Sequence, residues 1–191
     1  MSANATASAA SRLCTACGLC CNGVLFHTVR LQPKDSAKEL TALGMKLKHK
    51  SKGTSIHQPC PALRELQCTI YQHRPERCRL FECQQLTRLA AGETTEEAVL
   101  EAIHDVQRRV AHLETLMRQA GKTDPKRPLS KRCDKILADP LPATQGLRVA
   151  LADAMWELND LLNRDFRLAP VGWPGASIQE EQPAHDGGSE A

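Results

Sequence analysis

The chain has 191 residues and a formal net charge of +3, enough for one domain of about 100–150 residues with appendages. So mild a positive balance does not imply a nucleic-acid partner, and no stretch approaches the ~20 apolar residues of a membrane span. Aromatic residues make up only 3%, while eight of the nine cysteines fall within residues 14–83, so metal or disulfides are expected to supplement a thin core.

In chain order, residues 1–11 are small and polar and are expected to be a disordered lead-in, with no apolar run long enough for a signal peptide. The chain therefore reads as cytoplasmic, where thiols stay reduced and clustered cysteines mean metal. An odd cysteine total also fits poorly with full disulfide pairing. Residues 12–92 are read as a loop-rich, metal-binding cysteine domain with short helical pieces. One helix is expected around Asp35–Leu47, followed by an exposed, lysine-heavy loop (Lys46–Lys52) reaching Pro59. A second should start at Arg74-Pro75-Glu76, where proline and a first-turn acid suit a helix start. It should run through Leu80, Leu86 and Leu89 to Gly92.

Residues 93–166 are expected to form a helical hairpin. Thr94-Thr95-Glu96-Glu97 has the form of a capping box. The apolar positions Val99, Ile103, Val106, Val110, Leu113, Met117 and Ala120 alternate steps of four and three, and Gly121 follows as a helix stop. Residues 122–142 carry prolines and charges and read as a linker. Leu147, Leu151, Ala154, Leu158 and Leu161 then form a second seam, extended by Leu162 and Phe166. Residues 167–191 are expected to be a disordered tail. The fold class is thus mainly α: a small metal-stabilised cysteine-rich domain, then an antiparallel helical hairpin.

The cysteines carry the chemistry. Cys14-x-x-Cys17-x-x-Cys20-Cys21 supplies two overlapping C-x-x-C pairs and a vicinal pair, with Gly18 permitting the tight turn. Cys60, Cys68, Cys78 and Cys83 supply four more thiols. Eight thiolates suffice for two four-cysteine zinc sites, or for one cluster with thiols left over. Adjacent Cys20 and Cys21 project differently from the chain, which favours a binuclear or two-site arrangement. Arg74, Arg77 and Arg79 interleave with the second cluster and are expected to offset thiolate charge.

Cys14-x-x-Cys17-x-x-Cys20-Cys21, Pro59-Cys60-Pro61 and Cys68-Thr-Ile-Tyr71-x-x-Arg74-Pro75-x-x-Cys78-Arg79-x-Phe81-x-Cys83 together resemble the CxxCxxCC family, the YkgJ-like cysteine-cluster proteins described as zinc- or iron-chelating. The resemblance covers about residues 12–92. It implies that all eight cysteines are candidate ligands and that Tyr71, Arg74, Pro75 and Arg79 belong to the motif. Members are often labelled iron–sulfur oxidoreductases, and flagellin lysine N-methylases share the domain.

Among other residues, His57 and His27 are read as loop histidines, His104 and His112 as solvent-facing, and Cys133 as a free thiol in the linker. No nucleophile–base pair, phosphate loop or paired carboxylate is legible. The function expected is metal binding, with an iron–sulfur cluster or zinc ions as cofactor. The first reading is an iron–sulfur protein in redox chemistry or metal and cluster handling, with oxidoreductase as the enzyme class. The alternatives are a zinc-bound structural or protein-interaction module, with a protein partner on the hairpin, and a protein lysine N-methylase-like enzyme. Metal ion is the partner expected, with no membrane and no nucleic acid.

Overall fold

A computed structural model describes residues 3–51, 53–121, 124–139 and 144–172. Helix α1 spans Ala3–Cys17. Its alanine-rich sequence has high intrinsic helix propensity, and Ala9 and Leu13, one turn apart, are buried. Arg12 adds paired bonds to Glu96 at 2.9 and 2.7 Å. The expected disordered lead-in is therefore, from Ala3, a helix docked on the helix that begins at Glu96. Composition alone had hidden its narrow apolar stripe.

The next segment departs from the loop reading. Strands β1 (Thr28–Arg30), β2 (Leu47–Lys50) and β3 (Gly53–His57) form an antiparallel sheet in the order β1-β3-β2. Helix α2 (Ala37–Ala42) is shorter than expected and capped by Ser36, whose Oγ accepts from Glu39 N at 3.2 Å. The lysine-heavy stretch is a strand because Leu47 pairs with Ile56 and faces a small core, while Lys48, His49 and Lys50 stay exposed. That second core consists of Leu40, Met45, Ile56, Ala62 and Ile70. A two-residue pairing, β4 (Leu63–Arg64) with β5 (Gln67–Cys68), adjoins it.

The single helix expected from Arg74 to Gly92 is two: α3 (Glu76–Leu80) and α4 (Gln84–Ala90). Phe81 is extended between them and packs edge-on against Phe26, with ring centroids 4.9 Å apart. This contact turns the chain out of the helix and fixes Cys83 at the start of α4.

Helix α5 (Glu96–Gln119) is capped by Thr95, whose Oγ1 accepts from Ala98 N at 3.2 Å. The cap thus sits one residue later than the capping-box reading. Its seam is as the heptad spacing predicts: Val99, Ile103, Val106, Leu113, Met117 and Ala120 are buried, with Val110 partly so. Helix α7 (Gln145–Asp165) packs against α5 through Leu151, Leu158, Leu161 and Leu162, followed by buried Phe166. The expected linker is different. Within it, Leu129–Ala138 form helix α6, whose Leu129, Cys133, Ile136 and Leu137 enter the main core. Arg132, 7% exposed, makes paired bonds to Glu114 of α5 at 2.5 and 2.6 Å. Residues 173–191, most of the expected tail, lie outside the described residues. No described helix is long and apolar enough to cross a membrane.

Candidate metal centre

The last turn of α1 brings Cys14 and Cys17 to one helix face, three residues apart. Gly18 ends the helix at φ +66°. Its N–H donates to Cys14 O at 3.2 Å, and its carbonyl accepts from Cys21 N and Asn22 N at 2.9 and 3.0 Å. A Cβ at Gly18 would lie 2.7 Å from Cδ2 of the exposed Leu66 side chain, which can move aside, so it is the backbone conformation that calls for glycine here. The turn buries Leu19 and leaves Cys20 and Cys21 half-buried. Gln107 of α5 holds the end of α1 from outside, donating Nε2 to Ala16 O at 2.8 Å.

The remaining thiols come from four separate places. Cys60 N donates to Cys21 O at 2.7 Å, tying the Pro-Cys-Pro segment to the first cysteine turn. Leu63 N returns to Cys60 O at 3.0 Å, and Cys68 pairs across the short hairpin with Leu63. Cys78 lies in α3, and Cys83 precedes α4, which is anchored to the main body by Gln84 N donating to Phe166 O at 3.1 Å.

Burial is the leading cause wherever a thiol of this set has its pKa raised. It pushes Cys17 and Cys21 up to about 12, Cys78 to about 11 and Cys20 well up, and raises Cys14, Cys60 and Cys83. Backbone amides oppose burial at Cys17 (Leu19), Cys60 (Ala62 and Leu63) and Cys83 (Leu86 and Gln85). The thiols also repel one another in a pattern. Cys14 feels Cys83, Cys17 feels Cys83 and Cys14, and Cys20 feels Cys17, Cys21, Cys83 and Cys14. Cys21 feels Cys60, Cys78 and Cys68, Cys60 feels Cys68, and Cys78 feels Cys60 and Cys68. Arg74 pulls in the opposite direction on Cys14, Cys21 and Cys78. Among the described residues, no three histidine, cysteine, aspartate or glutamate side chains already stand so as to hold a metal ion.

The basic residues of the motif differ in position. Arg74 lies 3.8 Å over the Tyr71 ring, and its Nε donates to Tyr71 O at 3.2 Å. Arg79 is exposed and, with Lys34, Asp35, His73 and Arg74, lines a polar depression. Asp35 had no sequence pattern to mark it, yet its carboxylate accepts from Gln32 N at 2.7 Å and Glu76 N at 2.8 Å. It thereby sets the start of the helix that carries Cys78. His27 Nε2 meets Ser130 Oγ at 2.7 Å. His57 is at the end of β3, with Nε2 enclosed and without a hydrogen-bond partner in the structure. His104 and His112 are exposed. Cys133 is fully buried in α6, and burial pushes its thiol up to about 12. It belongs to the main core and not to a charged linker.

In donor type this set fits either metal chemistry expected: soft thiols, mostly half-buried, with backbone amides and one guanidinium offsetting negative charge. A model of the family CxxCxxCC, described as "Putative zinc- or iron-chelating domain", matches residues 13–100. No curated protein and no solved structure matches the chain.

Proposed function

On the match of the CxxCxxCC family model to residues 13–100, we propose that this chain is an iron–sulfur protein serving redox chemistry or metal and cluster handling. Cys14, Cys17, Cys20, Cys21, Cys60, Cys68, Cys78 and Cys83 are its ligands. The observation that carries the reading is the neighbourhood of Cys83. Cys17 and Cys20 of the C-x-x-C-x-x-C run pack against the same core as this one remote cysteine, and Cys14 shares the last turn of α1 with Cys17, a three-local-plus-one-distant donor pattern suited to a cluster.

The chain's own contribution is to desolvate and orient the sulfurs. Burial favours the protonated form of Cys14, Cys17, Cys20, Cys21, Cys60, Cys78 and Cys83, so binding releases protons as thiolates form. Amides of Leu19, Ala62, Leu63, Gln85 and Leu86 then face anionic sulfur, and Arg74 lowers the cost of gathering the charge. The bound group would supply one-electron chemistry or a transferable cluster.

A zinc-bound structural module, with the helices as a surface for a protein partner, is the second reading. It is favoured by the second core, whose few buried side chains give β1–β5 little apolar surface to bury. No methyl-transfer step is proposed, because the helical region beyond residue 100 lies outside the matched segment. Anaerobic purification, with a visible spectrum and iron, sulfide and zinc analysis of one sample, tests the assignment. Brown protein with iron and sulfide is expected. Colourless protein carrying zinc would replace the first reading by the second.

A further inference from the structure

We propose that the eight thiols form two separate four-cysteine centres, Cys14/Cys17/Cys20/Cys83 and Cys21/Cys60/Cys68/Cys78, meeting at the Cys20–Cys21 peptide. The inference rests on the metal-binding reading and adds to it the number of sites and the ligands of each.

Packing separates the two sets. Cys17, Cys20 and Cys83 lie against the main helical core, whereas Cys60 and Cys68 lie against the second core beneath the small sheet. Backbone contacts follow the same division. The amide of Cys60 is bound to the carbonyl of Cys21 at 2.7 Å, and Thr69 N, next to Cys68, donates to Ala62 O at 2.9 Å. Those bonds knit Cys21, Cys60 and Cys68 into one cluster of turns. Cys14 and Cys17 instead share the last turn of α1, a helix that packs on α5. Cys83 starts α4, which also packs on α5. Cys78 lies in α3, which packs on β1 of the small sheet and whose first residue, Glu76, donates its N–H to Asp35 at 2.8 Å.

The division explains the vicinal pair. Side chains of adjacent residues in a turn leave the backbone in different directions, so Cys20 and Cys21 reach different ions more readily than they chelate one. Each centre then draws on distant parts of the chain. The first clamps α1 to the start of α4; the second clamps the cysteine turn to the β4–β5 hairpin and α3.

The test uses the reduced, metal-free full-length chain, titrated anaerobically with Zn²⁺ alone and then pulsed with iodoacetamide. Peptide fragmentation by mass spectrometry reads the protection of each thiol. Saturation is expected at two ions per chain, with the four thiols of each set protected in parallel. Cys17→Ser and Cys68→Ser should each bind one ion and protect only the intact set. Should a variant fail to fold, the wild-type protection pattern decides alone. Saturation at one ion, or joint protection of thiols drawn from both sets, overturns the partition while leaving metal binding intact. No protection at any ratio would overturn the metal reading itself and the partition with it.

Discussion

Arg74 and Arg79 were indistinguishable by sequence, two arginines interleaved with candidate ligands. Only their surroundings separate them. Arg74 is half-buried, stacked on Tyr71, and acts on thiols of both neighbourhoods, whereas Arg79 is exposed beside the polar depression. Arg74→Gln is expected to weaken metal retention by a few-fold, equivalent to roughly 1 kcal/mol in a partly solvated site. Arg79→Gln should change it less. Competition with a chromophoric chelator measures both, and equal effects would remove the special position given to Arg74. Cys133 shows the opposite failure of local reading. Its neighbours Lys131, Arg132, Asp134 and Lys135 suggested an exposed linker, but Leu129, Cys133, Ile136 and Leu137 recur at helical spacing and all are buried. Cys133→Ser should leave metal content unchanged yet destabilise the fold by about 1–2 kcal/mol, since it puts a hydroxyl among apolar side chains. Denaturant unfolding alongside metal analysis checks it.

The long helices were legible because their apolar residues repeat over many turns, and both seams are buried much as the spacing indicated. The sheet was not, because only one residue of its three strands, Ile56, is fully buried. Alternation with so few inward positions resembles a charged loop. Helix α1 was missed because alanine and serine conceal its stripe, and the α3–α4 break because it depends on the Phe26–Phe81 contact across the chain. Gly23 joins these elements. It has φ +84°, its carbonyl accepts from Leu129 N at 3.1 Å, and an added Cβ would lie 3.1 Å from Pro128 Cα. Gly23→Ala should therefore strain the turn and loosen the cysteine loops from α6, costing on the order of 1–3 kcal/mol. Thermal unfolding measures the loss. Thr95→Ala, which removes only the cap of α5, should cost about 1 kcal/mol and leave metal content as it was.

Across the whole molecule, the cysteine turns are built on two unequal supports. Leu13, Leu19, Val24 and Leu25 belong to the same core as α5 and α7, while the sheet has its own small cluster. Metal removal should therefore not act uniformly over residues 12–92. Hydrogen exchange after chelation is expected to rise most in β2–β5 and α3, with α5 and α7 retaining protection. Uniform loss would mean that the helices depend on the metal. The eight thiols themselves were legible directly from their spacing. Which thiol neighbours which was not, because Cys83 reaches the first cluster only through the turn at Phe81 and the docking of α4. The account stands or falls on thiolate ligation of a bound metal. X-ray absorption at the edge of whichever metal the anaerobically purified protein carries reads it most directly. The expected result is a first shell of sulfur near ~2.3 Å, without nitrogen from His57 or other light-atom ligands from the protein. A first shell dominated by nitrogen or oxygen, or a protein that retains no metal, would contradict it.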